Sequence, residues 1–296
     1  MAKLVLGWLA VLLAIVFGVR HLWHHPSNPE KPFVSQLSTK TVVPDADVAL
    51  LNEASPLCDQ TFADYLAATT PEARNQFVLN PVVTAARMAH YYSLNPLVEI
   101  DPGTLSLNKT AVVHLPGRRA IESQWSASDG RLFDAVFVEE NGEWRLDWDH
   151  YVRYSDHPWA LFLAGGETDH GEFRLLARER LTEERKNEDS ISIVLYPPRF
   201  GYAGETGSQS PEFLIKRDTR NGRLLDAAFK LERSGGSVFG VSLPNINPED
   251  MIRVRVKVRR FEIDGVRRFE IDEVVACHWY SVDEPGVEIP DQAAEN

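Results

Sequence analysis

The chain has 296 residues, 44% hydrophobic and 25% charged, with acidic residues outnumbering basic ones 43 to 31 and a formal net charge of −12. That length can bury one large core or two ordinary ones. The charge argues against nucleic acid as a partner, because phosphate binding calls for a basic face.

Residues 4–19 are an unbroken run of apolar residues and glycine, with Lys3 before it and Arg20 after it. A helix over 4–23 reaches roughly 30 Å, the thickness of a hydrocarbon core. Trp8 and Trp23 are spaced for the two interfaces. The competing reading is a cleaved signal peptide, but no Ala-x-Ala follows the run. The expectation is an uncleaved anchor over residues 1–25. Lys3 and the α-amino group favour an inside amino terminus, which places the body on the periplasmic side. Residues 26–45, rich in Asn, Pro, Ser, Lys and Thr, read as a linker.

A first soluble domain is expected over 46–155. Residues 56–68 carry Leu57, Thr61, Tyr65 and Ala68 at helical spacing. Thr70 and Pro71 start a brief second helix, and Pro81 opens a third with Val82, Ala85, Ala86, Ala89 and Tyr92 along one stripe. Strand-like runs follow at 110–115 and 120–127, and then a hairpin over 131–154. Its turn is Asn141-Gly142, the dipeptide of a two-residue loop in which both residues take positive φ. In that register Glu140 faces Glu143, Phe137 faces Leu146, Ala135 faces Trp148 and Phe133 faces His150. One face collects Phe133, Ala135, Phe137, Trp144, Leu146 and Trp148. The other carries Asp134, Val136, Val138, Arg145, Asp147 and Asp149, as expected of strands packed on one side only.

Helices followed by a meandering antiparallel sheet that ends in ENGEWRLDW, residues 140–148, resemble the NTF2-like superfamily. In that superfamily a curved sheet wraps a helix and often leaves a cavity. Its members include isomerases, dehydratases and non-catalytic binding modules, so the resemblance implies a fold more than an activity.

Two registers are open for the strand before the hairpin. If pairing continues through Asp129-Gly130, Ser126 meets Phe133, Gln124 meets Ala135 and Glu122 meets Phe137. Glu122, Gln124, Ser126 and His150 then point to the concave side, where a carboxylate and an imidazole suit acid–base work. If a bulge slips the strand by one, Ile121 and Trp125 are buried, and Glu122 and Gln124 lie in water. The slipped register is favoured, since burying a Trp gains about 2 kcal/mol or more and burying an unpaired Glu costs several. Asp147, Asp149 and His150 are close in sequence, but strand alternation turns His150 away from both aspartates, so no metal site is expected there. Cofactor, phosphate-loop and nucleophile-elbow motifs are also lacking.

Residues 156–189 read as a connecting segment, with a short helix at 158–164 stopped by Gly165-Gly166 and a strand turning to helix over 172–185. A mainly β domain is expected over 190–282. Its strands are placed at 191–196, 212–216 and 238–243, its helix at 222–231, and a hairpin within 252–278. The hexamer Arg-Arg-Phe-Glu-Ile-Asp occurs at 259–264 and again at 267–272, with Asp264-Gly265 as the loop. Lys257 then faces Asp272, Arg259 faces Glu270 and Glu262 faces Arg267, so the acids neutralise the basic run. Val254, Val256 and Val258 share the other face with Phe269, Ile271 and Val275. Residues 283–296 read as a solvated acidic tail. Cys58 and Cys277 are expected as unpaired buried thiols, with a bridge between domains as the alternative.

The expected fold class is therefore α+β. An NTF2-like helix-plus-curved-antiparallel-sheet domain precedes a mainly β second domain, with an N-terminal transmembrane helix. The expected function is a non-enzymatic, membrane-anchored interaction or scaffold protein that meets a protein partner or itself, with no cofactor, metal or nucleic acid. The alternative is a small-molecule-binding or isomerase/dehydratase-like enzyme whose pocket uses Glu122, Gln124 and His150.

Overall fold

A computed structural model describes residues 44–166, 168–180 and 189–289. The expected anchor at 4–23, nearly all of the linker, residues 181–188 and the last residues of the tail lie outside the described residues. Among the described residues, no helix is long and apolar enough to cross a membrane.

Helix α1 (Asp45–Ala67) starts earlier than the 56–68 pattern implies, with Pro56 inside it. Residues 45–55 contain no glycine, and Asp45 and Asp47 place negative charge in the first turn, where the helix dipole favours it. In α2 (Pro71–Arg74) the Thr70 hydroxyl accepts a hydrogen bond from the Ala73 amide at 3.2 Å, the expected cap. In α3 (Pro81–Leu94) the expected stripe is displaced: Val82 is 91% exposed, and Thr84 and Met88 are the residues turned inward.

The first sheet is antiparallel, in the order β1 (Leu105–Val113), β2 (Ala120–Ala127), β3 (Leu132–Glu140), β4 (Glu143–Leu146). Asn141 at φ 54 and Gly142 at φ 82 form the tight turn, and Phe137 faces Leu146 as expected. Beyond Leu146 the expectation fails. The Asp147 carboxylate accepts a hydrogen bond from the His150 amide at 3.1 Å and caps α4 (Trp148–Tyr151), so the Ala135–Trp148 and Phe133–His150 pairs do not form. At the 127–131 turn the strand slips by one: Trp125 faces Phe133 and Ile121 faces Phe137. The inner face of this sheet packs Ile121, Trp125, Phe133, Phe137, Trp144 and Leu146 on Cys58, Phe62 and Tyr65 of α1 and on Trp148 and Tyr151.

Helix α5 (Trp159–Ala164) ends at Gly165, whose φ of 99 suits only glycine. The second sheet runs β7 (Phe213–Lys216), β6 (Ser190–Tyr196), β5 (His170–Glu179), β8 (Met251–Ile263), β9 (Val266–Ala276), all antiparallel, with α6 (Arg220–Arg233) on its inner face. Strand β5, in the expected connecting segment, is its middle strand. No strand forms at 238–243; Val238–Gly240 is a 3₁₀ turn with Phe239 at φ 54. The hairpin loop at Asp264-Gly265 and the Arg259–Glu270 and Glu262–Arg267 pairs are as expected. Register shifts near Val256 and Lys257 move Lys257 opposite Glu273 instead of Asp272, and turn Val274 instead of Val275 into the core.

After β9 the chain folds back. The Cys277 amide donates to the Pro285 carbonyl at 2.8 Å, and Val287 and Ile289 pack on the second core. Residues 283–289 are thus tied down by two apolar side chains that an acidic composition hides. Cys58 and Cys277 are free and buried.

Candidate functional site

The sequence candidates come together on the opposite side of the first sheet from the one where the alternative, unslipped register would put a pocket. Once β2 slips, Glu122 and Gln124 leave the inner face, but they do not reach water: Glu122 is 3% and Gln124 6% exposed. The second sheet and residues 277–282 cover them. His150, carried off the strand by α4, is fully buried in the same layer and not on the inner face. Ser126 ends half-buried, its hydroxyl donating to the Asn108 side chain at 3.0 Å.

Six segments supply this layer: β2, β3, residues 147–153, β5, β8 and residues 279–282. From β3, Asp134 is fully buried between two arginines: Arg153, held at a left-handed φ of 55, donates to its Oδ1, and Arg253 of β8 donates to its Oδ2 at 2.7 Å. Arg253 also reaches Glu122 at 3.4 Å and His150 Nε2 at 3.3 Å. An arginine can only donate, so Nε2 is the acceptor and the neutral imidazole carries its proton on Nδ1. The Tyr280 hydroxyl donates to the other Glu122 oxygen at 2.7 Å, and its ring stacks on His150 with centroids 5.2 Å apart. Asp147 takes the Ser281 amide at 2.8 Å and its hydroxyl at 2.7 Å. Arg174 of β5 donates to the Trp279 and Tyr154 carbonyls, and Arg255 to the Tyr280 and Val282 carbonyls. Residues 279–282 are a splint between the sheets, gripped by arginines on one side and by carboxylates on the other.

The protonation pattern follows from burial and partners. Burial pushes Glu122 above the usual carboxylate range, opposed by Arg253; Asp147 is raised by burial and opposed by Arg174. Burial would raise Asp134 as well, but Arg153 and Arg253 overturn it and hold its pKa low. Burial drives His150 well below the ordinary value against the pull of Asp134, and takes His278 down to about 3.

Glu122, Asp134 and His150 each present a ligand atom within 4.8 Å of the others, an oxygen–oxygen–nitrogen set that a transition metal accepts. The Arg253 guanidinium contacts all three, so a metal ion would have to displace it. The expected crowding of Asp147, Asp149 and His150 resolves differently: Asp149 pairs with Arg87 and faces Arg174 at 3.6 Å.

Glu122 and Gln124 also form part of the floor of a cleft of about 160 Å³, walled by Leu231, Val238, Val241, Leu243 and Met251. The inner face offers less. Phe62 lies 4.4 Å from Trp125 and 5.5 Å from Tyr151 between ring centroids, and a gap of about 30 Å³ is left beside Tyr91, Tyr151 and Phe200.

Sequence reasoning missed Asp134, Arg153, Arg253 and Tyr280. One signal was legible: His278, Trp279 and Tyr280 directly after a strand are an aromatic cluster too large to leave in water. Comparison with protein-family models, with curated proteins and with solved structures gives no match.

Proposed function

We propose that this protein is a non-enzymatic interaction or scaffold protein, tethered to a membrane by residues 4–23 and carrying its body on the periplasmic side. We further propose that the helices and first sheet form an NTF2-like roll used for its rigidity and its outer surfaces. The observation that carries this reading is the filled inner face: Phe62, Trp125, Phe137, Trp148 and Tyr151 occupy the space where an NTF2-like enzyme keeps its substrate. The ionisable groups of the polar layer support it, since Glu122, Asp134 and His150 are all held by Arg253. Cys58 and Cys277 are pushed up by burial, Cys277 to about 12, which makes them poor nucleophiles. Exposed Val82 and Val83 at the start of α3 offer apolar surface to a partner.

The test is capture of the full-length tagged chain from its own membranes, beside a chain lacking residues 1–25. The reading expects the full chain to stay in the membrane fraction after an alkaline wash and to bring down a partner in fixed stoichiometry. A full chain in the wash supernatant, or one recovered alone and monomeric, overturns it.

A second reading rests on the cleft over Glu122 and Gln124, which joins apolar walls to a buried carboxyl of raised pKa. It makes the protein a binder of small uncharged molecules. Loss of saturable ligand binding in Glu122→Gln, with folding unchanged, is its expected signature; unchanged binding removes it.

A further inference from the structure

A further cavity lies elsewhere. About 290 Å³ of partly open space lies between α3, residues 152–159, the middle of β5 and the loop at 197–200. At roughly 30 Å³ for a water-sized group, that is room for about ten non-hydrogen atoms. Its apolar walls include Tyr91, Leu94, Leu175 and Phe200, and its polar lining includes Arg153, Arg174, His157 and Trp159. None of the lining residues is acidic, in a chain where acids outnumber bases 43 to 31.

Trp159 supplies the second observation. It is 5% exposed, and its indole Nε1, a group that can only donate, has no hydrogen-bond partner among the described residues. A buried donor left unsatisfied costs about 1–3 kcal/mol, so this position lacks an acceptor. Arg153 and Arg174 are fixed in advance. Arg153 donates to the Tyr151 carbonyl and to Asp134, and Arg174 to the Trp279 and Tyr154 carbonyls.

We propose that this cavity is a binding site for a small monocarboxylate carried on an aromatic or branched aliphatic body. The carboxylate would accept from the Trp159 indole and face Arg153 and Arg174, and the body would lie against Tyr91, Leu94 and Phe200. The site shares no lining residue with the cleft over Glu122, and its ligand binding is read separately from membrane attachment and partner capture, so it stands or falls independently of the function proposed above.

The test is isothermal titration of the full-length chain in non-ionic detergent with 3-phenylpropionate and with its neutral analogue 3-phenylpropan-1-ol, against a detergent blank. One saturable site is expected for the acid, at least tenfold tighter than for the alcohol. Trp159→Phe keeps the ring and removes the donor, and should weaken the acid about fivefold or more with little effect on the alcohol. Leu94→Trp, at a half-exposed position on the rim, should fill the cavity and abolish binding of both probes; it also decides the matter if Trp159→Phe does not fold. Equal affinity for acid and alcohol, no binding of either, or binding untouched by Leu94→Trp overturns the proposal.

Discussion

The two faces of the first sheet are both buried, and by opposite means. On β2, Ile121 and Trp125 meet Phe62, Phe137 and Leu146 in a layer of rings and aliphatic chains, while Glu122 and Gln124 on the same strand enter a layer of charge. The apolar face gains free energy from any atom withdrawn from water and tolerates near-equivalent neighbours. The charged face gains only where every oxygen and N–H finds its partner, because desolvation offsets most of the attraction. What it adds is specificity. Arg253 satisfies Glu122, Asp134 and His150 in one arrangement of the two sheets, and Asp147 accepts Ser281 in one seating of the splint.

The largest effects should come from breaking each face once. Trp125→Ala removes a buried ring that touches Phe62 and Phe137, and should cost about 3–5 kcal/mol in chemical denaturation. Asp134→Ala strands Arg153 and Arg253 and should cost a similar ~3–5 kcal/mol. The faces should then part company. Replacing Asp134, Arg153 and Arg253 together with Leu, Met and Met should recover most of the Asp134→Ala loss, whereas no second substitution on the inner face should repair Trp125→Ala. If the triple variant is less stable than Asp134→Ala, the charged face contributes net stability and the contrast drawn here is wrong.

A smaller effect is expected with pH. His278 has its pKa depressed from 6.5 to about 3 by burial, and His150 is depressed too. Between those values the unfolded chain binds protons that the folded chain refuses, so stability falls as pH drops below about 6.5, by up to a few kcal/mol. Asp134, also depressed, acts in the same direction at lower pH. Glu122 and Asp147 are raised, so their contribution is lost as pH rises through their folded values. His278→Gln should be less stable than the parent at pH 7 yet lose less on going to pH 4, read from melting temperatures. Parallel pH curves for the two proteins would show that His278 is not a source of the acid lability.

Glu122→Gln should change stability at pH 7 by no more than about 1 kcal/mol, because the amide oxygen still accepts from Arg253 or Tyr280. Its balance against the parent should improve as pH rises. The smallest effect is expected outside both faces. Lys257 and Glu273 make an exposed pair at 2.7 Å, and Lys257→Ala should move the denaturation midpoint by less than about 0.5 kcal/mol.

The sequence by itself determined the local objects of this protein. Asn141-Gly142 and Asp264-Gly265 specify tight turns because two successive residues must take positive φ, and alternation then sets the Phe137–Leu146 and Arg259–Glu270 pairs. The slip of β2 was legible because a buried Trp outweighs an exposed one. Only the tertiary structure decided where the polar face went. Asp134, Asp149 and Glu122 alternate with apolar residues in the way solvent-facing residues do, and the pattern is identical whether the cover is water or a second sheet. Glu122 and Asp134 are covered by Arg253 and Tyr280, more than a hundred residues away, and period-two spacing holds no information about which distant cation neutralises which acid. Nor does it reveal that a single capping bond from Asp147 ends β4 and carries His150 off the inner face and into that buried layer of charge.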